Sequence, residues 1–159
     1  MSRFTNNLIR QGGERRGNWA YFDMDVDSID RSHKIFISAD KTNYSKIYNR
    51  LRKHFHEYKV PFKIISSLEL LEKTNDGEFG KNQIGKFITL YPQVGMAQHL
   101  DGLLKVLRNY QSPKIQSGTQ YYGSIIYYEI SVIQTQEVPL PIPKKEIIIE
   151  KLPPMWVAI

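Results

Sequence analysis

The chain has 159 residues, 41% of them hydrophobic and 24% charged, which fits one globular domain with enough chain for a real core. It has no cysteine, so disulfides and thiolate metal sites are excluded, and no apolar run approaches the roughly 18 residues of a membrane span. The net charge of +6 favours an anionic partner: nucleic acid, a phosphopeptide, an acidic peptide or a membrane surface.

The first eight residues lack the apolar stretch of a signal peptide, and the protein is expected to be soluble and cytoplasmic. Residues 1–17 are polar, with a Gly-Gly pair and the basic cluster Arg15 and Arg16, and read as a mobile arm. NWAYFDMDVD (residues 18–27) brings aromatic residues and then Asp23, Asp25 and Asp27 at alternate positions. The spacing lacks the glycine and distal Glu of a calcium-binding loop, so a solvated strand edge is favoured over a metal loop.

SHKIFIS (residues 32–38) predicts a strand. Period two puts Lys34, Phe36 and Ser38 on one face and His33, Ile35 and Ile37 on the other. Thr42 or Asn43 is placed to cap the helix that follows. In that helix Tyr44, Ile47, Tyr48, Leu51, Phe55 and Tyr58 recur at helical spacing. His54 and His56, near its end, suit the negative end of the dipole and face apart as metal ligands. VPFKII (residues 60–65) predicts the second strand, and a short Ser-capped helix follows over 67–73. Residues 74–84 form a polar, glycine-containing loop of the kind that carries function.

KFITLY (residues 86–91) is the third strand, stopped by Pro92. Met96, Leu100, Leu103, Leu104 and Leu107 mark a second amphipathic helix. A turn-rich connection over 111–123 precedes a long strand over 124–134, and residues 146–149 suit an edge strand. The order predicts an α+β fold with a mixed or antiparallel sheet and two main amphipathic helices. The expected divisions are the arm 1–17, a folded domain 18–137 and a Pro-rich segment 138–159 that reads as a linker towards a further domain.

Each of these three strands carries a lysine among apolar residues: Lys34, Lys63 and Lys86. A half-buried ammonium is costly without an anionic partner, so three of them imply a shared site for an anion.

K-I-F-I-S-A, then V-P-F-K one helix later, then G-K-F-I-T-L-Y-P, resembles the N-terminal lyase domain of class III and class IV lanthipeptide synthetases. That domain is similar in turn to the phosphothreonine lyases of bacterial effector proteins. The resemblance spans about residues 18–157 and includes Trp19 and the closing PPMWV, which resembles the link into a kinase domain. It implies a phosphothreonine-lyase-like fold and a β-elimination of phosphate from phosphoserine or phosphothreonine of a precursor peptide, without metal or organic cofactor. It implies as partners the precursor or its leader peptide, and kinase and cyclase domains in the same chain or complex, with no membrane.

Carried over residue by residue, the resemblance puts the base at Lys63, a flanking cation at Lys34 and the third-strand tyrosine at Tyr91. The general acid of the family, a histidine, falls on Phe36. The family's phosphate-binding loop arginine falls on Lys81, and the third-strand Lys86 is a further candidate for binding the phosphate. Two further arginines of the family fall near Thr119 and Glu129, where no positive charge remains. Three functions compete: a lyase with a substitute acid and impaired or lost catalysis, a non-catalytic pseudo-lyase that binds precursor peptide or a partner domain, and, ranked last, a basic nucleic-acid-binding module.

Overall fold

A computed structural model describes residues 2–25, 28–93, 95–116 and 118–131. The predicted strand over 146–149, the end of the strand expected over 124–134, and PPMWV lie outside the described residues. The element order is α1 (Arg3–Arg10), β1 (Glu14–Arg16), β2 (Trp19–Phe22), β3 (His33–Ser38), α2 (Tyr44–Tyr58), β4 (Phe62–Ile65), α3 (Leu68–Asn75), β5 (Lys86–Leu90), α4 (Met96–Val106), β6 (Gln120–Gly123) and β7 (Ile126–Ile130), with a 3-10 turn at Lys81–Gln83.

The strands form one seven-stranded sheet in the order β1-β2-β4-β5-β3-β7-β6. Its strand pairs are all antiparallel. The α+β expectation is met, and its antiparallel alternative is the one realised. β4 and β5 lie between β2 and β3, so the central strands come from distant parts of the chain.

One face of the sheet is apolar and carries the helices. Ala20, Phe22, Ile35, Ile37, Phe62, Ile64, Ile88, Leu90 and Ile126 are buried in one cluster with Ile47, Leu51 and Phe55 of α2, Leu71 of α3 and Leu100 and Leu103 of α4. Phe55 lies 4.2 Å from Phe62, centroid to centroid, which seats α2 on β4. Tyr58, expected on the same stripe, is more than half exposed instead, because α2 ends there and Lys59 turns into the left-handed region at φ 50°.

The segment expected as a mobile arm is folded. Ser2 Oγ accepts a hydrogen bond from the Thr5 amide and caps α1. Leu8 is fully buried, and Phe4 packs edge-on against Tyr44 and Tyr48. The Thr5 hydroxyl donates to the Ser66 carbonyl, 2.7 Å away. A helix of only 8 residues was too short to stand out from a polar segment, and its order comes from packing. The connection expected over 111–123 likewise contains a strand, β6, held by its pairing with β7.

Asn43 precedes α2 as expected but caps none of its amides. Its side chain accepts from the Asp40 amide and donates to Gln111 O and Ser112 Oγ, tying the helix start to a remote loop. His54, read as a helix-end residue, lies between α2 and α4 with Nε2 3.1 Å from His99 Nδ1, and burial with its histidine neighbour pulls its pKa down to about 4. Asp23 follows β2 with φ 53°, so the strand ends before the carboxylates rather than running through them.

Register shifts in the β3–β5 ladder, where Ile37 faces Ile88 but Ser38 faces Lys86. Phe87 is the extra residue of a bulge, and side-chain alternation breaks there. Phe87 joins the core with no exposure, stacking near Phe4 and edge-on to Tyr44. Phe87→Ala is expected to lower the unfolding free energy by about 3–5 kcal/mol in urea titration, since a fully enclosed ring leaves a cavity the bulge is too constrained to close.

Candidate active site

The other face of the sheet holds the polar residues. Cross-strand register sets them in a row: Tyr21 faces Lys63, Lys63 faces Thr89, Thr89 faces Phe36, Phe36 faces Tyr127 and Tyr127 faces Tyr121. Lys34 lies two residues from Phe36 along β3 and opposite Glu129. Strict alternation would turn Lys86 to the same face as Ile88 in the core; the bulge turns it to the polar face instead.

The three lysines border one polar cavity of about 280 Å³, with Trp19, Phe36, Thr89, Tyr91, Glu129 and the Asn82–Gln83 turn completing its wall. A second hollow of about 390 Å³ continues from it past Trp19, Lys63 and Gln83 towards Phe79. Lys63 Nζ lies 4.3 Å from the centroid of the Trp19 ring, and Lys86 Nζ 4.5 Å from that of Phe36. These ring faces are the partners that a half-buried ammonium accepts where carboxylates are scarce.

Burial pulls the Lys63 pKa down from 10.5 to about 8, helped by the positive charges of Lys34, Lys86 and Arg31. At pH 7 roughly a tenth of Lys63 is then a neutral amine. Lys86 is lowered as well, mainly by burial, with Glu129 pulling the other way. Burial pushes the Tyr91 hydroxyl up to about 12, so it stays protonated and can donate a hydrogen bond. The cavity thus brings together a lysine of lowered pKa, two further lysines and a hydroxyl donor.

The sequence matches a known family. A family model described as RamC, N-terminal domain, matches residues 10–142. The chain belongs to this family. Among solved structures it is similar to the type III effector phosphothreonine lyase OspF from Shigella flexneri, with a TM-score of 0.61 and 14% identity over 87% of this chain and 81% of that one. It is also similar to the VirA (SpvC) phosphothreonine lyase effector of Chromobacterium violaceum, with a TM-score of 0.57 and 12% identity over 79% of this chain and 71% of that one. At such identities the likeness establishes a phosphothreonine-lyase-like fold. No curated protein sequence matches the chain.

In this member of the RamC N-terminal family, Lys34, Lys63, Lys86, Tyr91 and Phe36 are brought to one cavity. Lys81 is not: it is exposed at the start of the 3-10 turn, while its neighbours Asn82 and Gln83 border the cavity. Thr119 lies away from the cavity and bonds the Ile115 carbonyl. Glu129 does border it, opposite Lys34, and supplies negative charge among the lysines. Phe36 is buried against Ile115 and Tyr127 and has no proton to give.

Sequence reasoning missed Trp19 and Thr89 as wall residues. Thr89 was readable, since it alternates with two buried apolar residues in β5. Trp19 was not, because its place over Lys63 depends on the β2–β4 pairing.

A lysine held lower in the folded than in the unfolded chain costs stability below its folded pKa, and the cost fades as pH rises from about 8 to 10.5. Lys63→Met should therefore raise stability at pH 7 by about 1–2 kcal/mol, discounted because the amine still reaches solvent, and the gain should vanish near pH 10.5 in thermal unfolding monitored across that range.

Proposed function

We propose that this domain is the lyase part of a lanthipeptide synthetase, acting on phosphoserine or phosphothreonine of a precursor peptide, with weakened catalysis. The observation that carries this reading is the convergence of Lys34, Lys63 and Lys86 on one cavity, where burial and the neighbouring charges press Lys63 towards its neutral form. Kinase and cyclase domains in the same chain or complex would supply the phosphorylated residue and use the alkene. The effector proteins of like fold are phosphothreonine lyases, which supports the same chemistry.

The step is a β-elimination. The neutral Lys63 amine takes the α-proton, and the electron pair left on Cα forms the Cα=Cβ bond. The Cβ–O bond breaks, and its electrons leave with the phosphate. Lys34 and Lys86 offset the charge of the dianion. The Tyr91 hydroxyl is a donor for the substrate carbonyl. A proton for the departing oxygen comes from the Lys86 ammonium, which sits on the ring that occupies the acid position. An ammonium is a weaker acid than an imidazolium, which is the physical reason for a slow reaction.

A second reading has a specific observation behind it. Phe36 is not an open gap but part of a buried apolar cluster, as befits a module that holds a phosphopeptide without turning it over.

A phosphoserine peptide incubated with the protein and followed by mass spectrometry is expected to lose phosphate slowly. Its rate should rise with pH through about 8 as Lys63 becomes neutral. Phe36→His should speed the loss by roughly a hundred- to ten-thousand-fold, the usual weight of a general acid. Binding without loss in the parent protein, with turnover in Phe36→His, favours the binding module. No loss and no binding in either rejects both readings.

A further inference from the structure

A further open groove, of about 820 Å³, is bordered by Tyr127 and Tyr121 of the same row of cross-strand neighbours. Phe36, Ile115 and Tyr127 form one buried cluster. Phe36 borders the lysine cavity, while Ile115 and Tyr127 border the groove. The cluster is therefore a thin apolar partition between two adjoining spaces. The floor of the groove is aromatic: Tyr121 lies 5.2 Å from Tyr127, centroid to centroid, and is 62% exposed. Its rim carries Arg108 and Lys114, and among the described residues that border it there is no carboxylate.

Both spaces lie along the row of cross-strand neighbours that runs from Lys63 through Phe36 to Tyr127 and Tyr121. Two to three strand spacings of about 4.8 Å separate the middle of the lysine cavity from the Tyr121–Tyr127 floor, roughly 10–14 Å. An extended peptide covers that distance in about three or four residues.

We propose that this groove is a second subsite for the same peptide, taking a large apolar side chain about three or four residues from the phosphorylated one, with an acidic neighbour against Arg108 and Lys114. The proposal rests on the reading of the lysine cavity as a phosphoresidue site. The occupant follows from the chemistry: an exposed aromatic floor favours an apolar ring or branched chain, and a rim with positive charge alone favours an acidic flank. Adjacency to the lysine cavity along the row from Phe36 to Tyr127 and Tyr121 makes it the same peptide that supplies both.

The test is fluorescence anisotropy with the full 159-residue chain and labelled Ala/Gly peptides holding one phosphoserine, with a single Phe walked along both sides. Affinity should rise roughly tenfold with Phe at about the third or fourth residue on one side, the weight of partly burying one ring. Tyr121→Ala, a change at an exposed position, should remove that increment and leave the phosphate's contribution; Lys114→Glu should remove the benefit of an acidic neighbour. Lys86→Ala should do the reverse, weakening phosphate binding and keeping the Phe increment. No increment at any offset, or one that survives Tyr121→Ala, overturns the subsite. A Tyr121-dependent increment with no contribution from phosphate supports the subsite and rejects the phosphoresidue reading of the cavity.

Discussion

Three ammonium groups on one patch of a sheet repel each other, and the rest of this structure is arranged so that they stay together. Lys34, Lys63 and Lys86 come from three adjacent central strands, β3, β4 and β5. Their backbone positions are held by ladders on both sides, and those ladders are held by the apolar face beneath. Lys63 is pressed towards its neutral form by burial and by its charged neighbours. Aromatic faces and Glu129 relieve part of it without cancelling the positive potential. A cluster of this kind is stable only because burial on the opposite face outweighs its repulsion.

The bulge in β5 links core and site in one stroke. Without it Lys86 would share a face with Ile88, and Phe87 would stand among the lysines. With it the ring enters the helix-side core and the ammonium enters the cavity. Packing of α1 and α2 against Phe87 therefore bears on the charge of the site across the thickness of the sheet. The N-terminal helix, remote from the cavity, is part of what keeps this strand in register.

Phe36 has two consequences that pull apart. It leaves no side-chain proton donor at the position where the resemblance expects one. It also completes an apolar partition with Ile115 and Tyr127 and offers a ring to Lys86. A fold shared with phosphothreonine lyases at 12–14% identity leaves room for such a shift, because fold and site vary separately.

The residues by themselves determined the elements with strong period: β3, α2, β4, β5 and α4 were legible because hydrophobic spacing reports burial directly. The three mid-strand lysines marked a shared polar cavity for the same reason, since a costly residue in a strand needs a partner. Tertiary structure alone decided the strand order, the folding of α1 and β6, and the wall that Trp19 and Glu129 give the cavity. Those depend on which strands pair across long stretches of chain, and on a one-residue bulge that reverses alternation. Local spacing carries no record of either, because pairing and register are set by the competition of whole faces for burial rather than by any residue's own preference.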